Sequence, residues 1–117
     1  MDKTKKVLIV DDDVFICRFL TRLGVKNDVA ENGESALELL KNNFYDCVFL
    51  DLNLGAGING FDVLKVIKTD SPETKVIIVS GSLDAGAKNE TMSMKADYFL
   101  AKPIDLLELK KVMEQYL

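Results

Sequence analysis

The 117-residue sequence contains no histidine and no tryptophan, and it has only two cysteines and two prolines. Without histidine, the chain can neither use imidazole in acid–base catalysis nor carry a phosphohistidine of its own. Cys17 and Cys47 stand inside apolar patterns and lack the spacing of metal ligands, so we expect buried, reduced thiols. Any chemistry must therefore use carboxylates, hydroxyl groups, lysine and a metal ion.

Long apolar runs and a basic excess are also absent. No run approaches the roughly 20 residues of a membrane-spanning helix, and the segment "MDKTKKVLIVDDD" lacks the long apolar stretch of a secretory signal. The formal net charge of −4 argues against direct binding to nucleic acid, which usually requires a basic face. We therefore expect a cytoplasmic protein that binds neither membranes nor nucleic acid directly.

The length and the hydrophobic pattern indicate one α/β domain over residues 1–117. Short apolar runs predict five strands, at 6–10, 28–30, 46–52, 75–82 and 97–103. Segments with apolar residues at every third or fourth position predict five helices, at 14–23, 31–43, 61–68, 83–94 and 104–117. This alternation predicts a doubly wound parallel sheet with helices on both faces, in which ligands bind beyond the carboxyl ends of the strands.

Side chains with carboxylate, hydroxyl or amino groups fall at the ends of these predicted strands. Asp11 and Asp12 follow the first strand, Asp51 ends the third, and Ser80 and Lys102 end the fourth and the fifth. Three carboxylates that lie close together cannot all stay ionised without a compensating cation. Oxygen ligands without histidine or cysteine select Mg²⁺, or Mn²⁺, over softer metals. The sequence therefore predicts a divalent-cation site at this edge of the sheet.

Four motifs in this order resemble those of the receiver domain of two-component response regulators, the CheY-like family. They are "VDDD", "VFLDLNL", "IIVSGS" and "YFLAKP", and the resemblance covers essentially the whole chain. It implies a flavodoxin-like sheet with the strand order 2-1-3-4-5 and five helices. It also implies Mg²⁺-dependent transfer of a phosphoryl group from the phosphohistidine of a histidine kinase or histidine phosphotransfer protein in phosphorelay signalling.

The resemblance assigns a role to each matched residue of the predicted cation site. Asp51 is the phosphoacceptor and also a metal ligand, beside Asp11, Asp12 and the backbone carbonyl of Asn53. On this assignment the domain is not an enzyme with an external product. It has only self-phosphorylation and autodephosphorylation chemistry.

The same resemblance assigns a switch. Lys102 binds the phosphoryl group, Ser80 is the switch hydroxyl, and Phe99 is the aromatic side chain that turns inward on activation. The Lys102–Pro103 bond resembles the cis peptide of the family. An output partner or effector domain would bind the face formed by residues 83–117, and the resemblance also allows a phosphorylation-dependent dimer.

The segment 53–60, "NLGAGING", departs from the family pattern. Gly55 stands where a proline is usual, and Gly60 comes one residue later than the usual glycine, so we expect a more flexible loop than in the family. The first helix also looks short. Both departures bear on access to Asp51 and on docking of the histidine-bearing partner.

Other interpretations of the same residues remain open. Residues 11–13 could form a solvated turn, with Asp13 as a helix cap rather than a ligand, and Phe99 could be an ordinary core residue. A haloacid-dehalogenase-type phosphatase also uses Asp, Ser or Thr, Lys and Mg²⁺, but it needs a second aspartate where Asn53 stands. An interaction module without phosphorylation and a flavin mononucleotide binder are further alternatives, the latter without a Ser/Thr-rich phosphate loop after the first strand.

Overall fold

Five short strands form one parallel sheet in the structure, which is a computed structural model that describes residues 4–12, 14–81 and 85–117. The strands are β1 (Lys6–Val10), β2 (Lys26–Ala30), β3 (Cys47–Asp51), β4 (Lys75–Ser80) and β5 (Tyr98–Ala101). Their order is β2-β1-β3-β4-β5, and every neighbouring pair is parallel. The predicted α/β fold and its strand order are therefore confirmed.

The five helices alternate with the strands along the chain. They are α1 (Phe15–Arg22), α2 (Gly33–Asn42), α3 (Gly60–Asp70), α4 (Ala85–Ser93) and α5 (Leu106–Tyr116). Side chains of α1 and α5 bury one face of the sheet, and those of α2 and α3 bury the other. Because both faces are covered, the central strands are almost uniformly apolar rather than alternating.

Short polar side chains fix where three of the helices begin. The side chain of Asn32 accepts a hydrogen bond from the backbone N–H of Ser35 at the start of α2. Asn59 and Asp62 form a reciprocal capping box at the start of α3. The side chain of Asp105 caps α5 in the same way. These bonds satisfy N–H groups that have no partner within the helix.

Several element limits differ from the sequence prediction. β2 begins two residues earlier than predicted, at Lys26, because its first two residues are polar residues of an edge strand and give no apolar signal. Helical spacing predicts an apolar stripe of Leu106, Leu109, Met113 and Tyr116 on α5, but Leu106 is exposed, and Val112 is buried beside Leu109 and Met113. The expected helix cap Asp13 and the first residues of the predicted fourth helix, 83–84, lie outside the described residues.

The two cysteines differ in their surroundings. Cys47 is fully buried in β3, and burial raises the pKa of its thiol to about 12. Cys17 is only half-buried, contrary to expectation. Its thiol donates to Oδ1 of Asn27, with 3.2 Å between Sγ and that oxygen. Both thiols are free. Among the described residues, none of the helices is long and apolar enough to span a membrane.

Lys95, just after α4, adopts a left-handed backbone conformation with a φ of 72°. This conformation costs an L-residue about 1–2 kcal/mol, and glycine adopts it freely. We predict that Lys95→Gly raises the free energy of unfolding by about 0.5–1 kcal/mol, after allowing for the greater freedom of glycine in the unfolded chain. Urea denaturation measures this, and the exposed helical Lys88→Gly should instead lower stability. A destabilised Lys95→Gly variant would contradict the prediction.

Asp28 on β2 is bound by two groups from neighbouring segments. The hydroxyl of Tyr45 donates to its Oδ2 at 2.6 Å, and Nζ of Lys6 lies 3.3 Å from the same oxygen. The hydrogen bond from Tyr45 is the main reason that the pKa of Asp28 is lowered; partial burial opposes the shift and Lys6 adds to it. A lowered folded-state pKa stabilises the protein above the ordinary value of 3.8, and this stability is lost as the pH falls below it.

We therefore predict that Tyr45→Phe lowers the free energy of unfolding by about 1 kcal/mol at pH 7, because the charge-assisted hydrogen bond is lost. The difference from the wild type should shrink as the pH falls below about 4, where Asp28 becomes protonated. Urea denaturation at several pH values measures it. Tyr116→Phe is the control, since its hydroxyl donates to a backbone carbonyl, that of Asp97, which does not titrate. An equal difference at all pH values for Tyr45→Phe would refute this explanation.

Candidate functional site

The strand order brings the predicted site residues to one edge of the sheet. β3 lies between β1 and β4, so Asp51 at its carboxyl end is central. Asp11 comes directly after β1, and its backbone N–H donates to the carbonyl of Ala30 at 3.0 Å, which fixes the chain at this turn. Ser80 is the last residue of β4. All of these residues come from the carboxyl ends of parallel strands, as the sequence predicts.

The three aspartates form one cluster. Carboxylate oxygens of Asp11, Asp12 and Asp51 all lie within 4.8 Å of one another. Asp11 is 3% exposed and Asp51 is 6% exposed, whereas Asp12 faces the solvent. Two buried carboxylates at this separation repel each other strongly unless positive charge is close. The cluster is therefore a concentrated negative site that opens to solvent on the side of Asp12.

Lys102 supplies positive charge to this cluster. Its Nζ lies 3.0 Å from Oδ2 of Asp11 and 3.3 Å from Oδ2 of Asp51. Burial is the largest single influence on the ammonium group and lowers its pKa, but the two carboxylates together outweigh it, so that the pKa of Lys102 is raised. The lysine is therefore charged at neutral pH and links two carboxylates that would otherwise repel each other.

Two features of the backbone set the position of Lys102. Its N–H donates to the carbonyl of Ser80 at 2.8 Å, which ties the end of β5 to the end of β4. The Lys102–Pro103 peptide bond is cis, as the resemblance implies. The side chain is thus directed from a fixed point on β5 across the end of β4 toward β3.

The donor set fits a hard divalent cation. Three carboxylates and one ammonium group leave a formal charge of about −2 when all are ionised, which one divalent ion balances. Oxygen ligands of this kind suit Mg²⁺ or Mn²⁺. The backbone N–H of Asn53 donates to Oδ1 of Asp51 at 3.0 Å, so Asn53 lies beside the cluster, and the role of its carbonyl as a ligand stays a prediction.

Ser80 and Phe99 lie on the neighbouring strands β4 and β5. Ser80 is 3% exposed at the carboxyl end of β4, next in the sheet to the end of β5. Phe99 is half-buried on β5 and packs against the core that α2 and α3 cover. The side chain of Phe99 is therefore partly packed against the core and partly exposed to solvent.

Apolar side chains border the site on the side of α1. A cavity of about 630 Å³ is lined by Phe15, Lys102, Pro103 and Ile104. Phe15 is 44% exposed and stacks on Phe19 with 6.5 Å between the ring centres. The charged cluster thus has an accessible apolar surface at its side.

Sequence reasoning missed how closely the segment 53–60 is held. A Cβ atom on Gly60 would lie 2.5 Å from the carbonyl oxygen of Asp51, so only glycine allows this close approach to the end of β3. The backbone N–H of Ile58 donates to Oε1 of Glu34 on α2 at 2.9 Å. These contacts depend on residues that are distant in sequence, and the spacing of the glycines gave no sign of them. The segment therefore has contacts with α2 at Ile58 and with the end of β3 at Gly60, and the expectation that it is more flexible than in the family stays a prediction.

Comparison with known proteins places this geometry in a family. The family model of the response regulator receiver domain matches residues 7–114. The autoinducer 1 sensor kinase/phosphatase LuxN of Vibrio campbellii is 35% identical over 121 residues, which cover 99% of this chain and 14% of LuxN. The chain therefore spans only a small part of this relative.

Solved structures show the same architecture. The receiver domain of NtrX from Brucella abortus matches with a TM-score of 0.86 and 29% identity, over 95% of this chain and 97% of that one. The receiver domain of the sensor histidine kinase PA1611 from Pseudomonas aeruginosa matches with a TM-score of 0.84, over 96% of both chains. That structure has a magnesium ion coordinated in its active site cleft; at 19% identity, the match concerns the fold.

The cluster of three aspartates predicts that Mg²⁺ stabilises the folded protein and that this stabilisation depends on Asp12. Mg²⁺ should raise the thermal unfolding midpoint of the wild type, because an ion that binds only the folded state stabilises it by about 2.7 kcal/mol at 100 times its Kd. Asp12→Asn should reduce this shift strongly. Its midpoint in EDTA should equal or exceed that of the wild type, since an exposed repelling charge has been removed.

Glu31→Gln is the matched control, because Glu31 is an exposed carboxylate just after β2 that does not belong to the cluster. It should keep the full shift in the unfolding midpoint. A full shift in Asp12→Asn, or an equal loss in both variants, would show that the cluster is not the magnesium site.

Proposed function

Because the chain belongs to the response regulator receiver domain family, whose members act in two-component signalling, we propose that Asp51 is its phosphoacceptor. The observation that carries this proposal is the position of Asp11, Asp12 and Lys102 around the carboxylate of Asp51. We propose further that residues 1–117 form one receiver domain. The donor would be the phosphohistidine of a histidine kinase or histidine phosphotransfer protein, in the cytoplasm.

The surroundings of Asp51 favour its carboxylate as a nucleophile of fixed orientation. The N–H of Asn53 holds Oδ1, and the ammonium group of Lys102 lies beside Oδ2. A carboxylate that is already oriented loses little freedom when it attacks a phosphorus atom in line. One oxygen of Asp51 forms the new bond to phosphorus. The P–N bond to the partner's imidazole breaks, and the imidazole keeps the electron pair.

The remaining residues stabilise the charge that the phosphoryl group brings. Lys102 exchanges part of its contact with the carboxylates for a phosphoryl oxygen, and the hydroxyl of Ser80 donates to another. Asp11, Asp12, Asp51 and the carbonyl of Asn53 would hold Mg²⁺, or Mn²⁺. When bound, that ion supplies the positive charge that lets an anionic donor approach an anionic acceptor. Attack by water on the acyl phosphate later releases inorganic phosphate and restores Asp51.

The signal would leave the site through Ser80 and Phe99. When Ser80 moves toward the phosphoryl group, it vacates space at the carboxyl ends of β4 and β5, and Phe99 turns into it. An output partner, an effector domain or a second phosphorylated copy would then bind the changed face over residues 83–117. α4 is suited to such movement because it is a polar helix with little contact to the sheet beyond β5.

The histidine-bearing partner would dock beside α1. Phe15 and the cavity that it forms with Pro103 and Ile104 offer an apolar surface next to Lys102. Leu107 is 69% exposed and lies in the first turn of α5, shortly after Pro103 and Ile104 in the chain. Exposed apolar patches beside a functional site are typical of binding surfaces for other proteins.

The proposal predicts a metal-dependent phosphoryl adduct on Asp51. Intact-mass measurement after incubation with acetyl phosphate and Mg²⁺ should show a gain of one phosphoryl group. EDTA or Asp51→Asn should abolish the gain, and Lys102→Ala should slow it by about 100-fold, since a charged group that contacts the transferred phosphoryl group is lost.

Asp46→Asn is the matched control, because Asp46 precedes β3 at the opposite edge of the sheet, where it accepts a bond from the N–H of Lys6. It should form the adduct at the rate of the wild type. The proposal fails if Asp51→Asn forms the adduct normally, or if the wild type accepts a phosphoryl group from neither acetyl phosphate nor a phosphohistidine protein.

A further inference from the structure

The segment 53–60 is held between the start of α2 and the end of β3. On the α2 side, Oε1 of Glu34 accepts a hydrogen bond from the N–H of Ile58 at 2.9 Å. On the β3 side, Gly60 lies against the backbone of Asp51 and Leu52, and its N–H is 3.4 Å from the carbonyl oxygen of Leu52. The middle and the end of the segment are therefore fixed by different elements.

Two glycines make room for the contact with α2. A Cβ on Gly57 would lie 2.4 Å from Oε1 of Glu34, and Gly57 has a φ of +91°, a conformation that L side chains rarely adopt. A Cβ on Gly33 would lie 2.4 Å from the carbonyl oxygen of Ile58. The missing side chains on both partners therefore let the carboxylate of Glu34 and the segment approach each other. Gly55 differs, since a Cβ there would meet nothing within 4 Å.

The beginning of the same segment orients Asp51. Asn53 is its first residue, and the N–H of Asn53 donates to Oδ1 of Asp51 at 3.0 Å. Only eight residues run from Asn53 to Gly60. A segment this short with glycines at 55 and 57 takes up many paths when it is free, so the contact at Ile58 restricts where Asn53 lies.

We propose that Glu34 is a positioning residue for the phosphoacceptor site: its carboxylate holds Ile58, and through the segment 53–60 it keeps Asn53 on Asp51. The expected effect of Glu34 on phosphorylation rests on the proposed function. Its expected effects on the structure and on metal binding do not. Glu34 is suited to the role because a carboxylate is a stronger acceptor than a neutral group. The hydrogen bond from Ile58, followed by one from its own backbone N–H, lowers the pKa of Glu34, so the acceptor is ionised at neutral pH.

The first experiment compares Glu34→Ala with Glu34→Gln. The alanine variant loses the acceptor, whereas the glutamine variant keeps a neutral carbonyl oxygen of the same reach. In ¹⁵N-labelled protein, Glu34→Ala should speed hydrogen exchange of the Ile58 amide by about tenfold, and Glu34→Gln should restore most of the protection. Calorimetry with Mg²⁺ alone should give a Kd that is about three to ten times weaker in Glu34→Ala and close to that of the wild type in Glu34→Gln.

Glu38→Ala and Glu38→Gln are the matched controls. Glu38 is an exposed carboxylate one turn later on α2, and its Oε1 lies 3.4 Å from Nδ2 of Asn42 within the same helix. Both Glu38 variants should leave the exchange of Ile58 and the Kd for Mg²⁺ unchanged. If Glu34→Ala and Glu34→Gln weaken Mg²⁺ equally, the effect is one of net charge and the positioning role is refuted.

The second experiment breaks the contact from the other side. Gly57→Ala and Gly55→Ala both place a side chain at a positive φ, but only the Cβ at position 57 collides with Glu34. Gly57→Ala should therefore weaken Mg²⁺ binding more than Gly55→Ala does, by about threefold or more. Adding Glu34→Ala to Gly57→Ala should have little further effect. Equal effects of the two glycine variants, or full additivity in the double variant, would overturn the proposal.

A phosphorylation assay distinguishes a failure of this inference from a failure of the proposed function. With acetyl phosphate and Mg²⁺, Glu34→Ala should require about three to ten times more Mg²⁺ for half of the maximal rate, with a smaller change in that maximal rate. A wild type that takes up no phosphoryl group refutes the phosphoacceptor role of Asp51, while the exchange and Kd measurements still decide the role of Glu34. A phosphorylated wild type with unchanged Glu34 variants in all three measurements refutes the role of Glu34 alone.

Discussion

The mutual repulsion of buried carboxylates is the constraint around which the carboxyl edge of the sheet is built. Asp11 and Asp51 are almost fully buried and share one cluster with Asp12, so the folded chain must bring positive charge to them. Lys102 provides it from just after the end of β5, which is separated from β3 by β4. Neighbouring strands are about 4.8 Å apart, so the ammonium group has to reach across nearly 10 Å of sheet. The long side chain of lysine and its fixed starting point beside Ser80 make this reach attainable.

The charges at the opposite edge of the sheet have a different organisation. Asp97 accepts bonds from Nζ of Lys68 and from the N–H of Val76, at 3.0 Å and 2.8 Å, and Asp28 is bound by Tyr45 and Lys6. Each of these carboxylates has partners of its own, and they join neighbouring segments into a rigid base. At the carboxyl edge, the two buried carboxylates of Asp11 and Asp51 share Lys102. The contrast between separate and shared countercharges distinguishes structural carboxylates from the proposed phosphoacceptor site.

Strong local patterns made most of the fold predictable. The strands β1, β3 and β4 each contain a continuous apolar run, because a parallel sheet that is covered on both faces buries both sides of its central strands. β2 was harder to delimit, since an edge strand with the sequence "KNDVA" buries few side chains. Leu106 was misassigned because helical spacing alone does not tell which side of the first turn of α5 faces the core.

The candidate site was predictable where strand ends alone determined it, and unpredictable where distant segments meet. Asp11, Asp51, Ser80 and Lys102 could be placed together because parallel strands end at a common edge. The contacts of Glu34 depend on how α2 packs beside the segment 53–60, and no local spacing encodes that. Glycines in such a segment look like sources of flexibility, but at position 60 the missing Cβ permits close packing against the end of β3.

The spread of these residues along the chain has a consequence for synthesis and degradation. The cluster takes its first carboxylate from residue 11 and its countercharge from residue 102, with Asp51 between them. A ribosome must therefore release almost the entire domain before the cluster can assemble. A proteolytic fragment that ends before β5 retains all three aspartates but has lost their lysine. Only a chain that has been synthesised and folded through Lys102 holds Asp11 and Asp51 together with this countercharge.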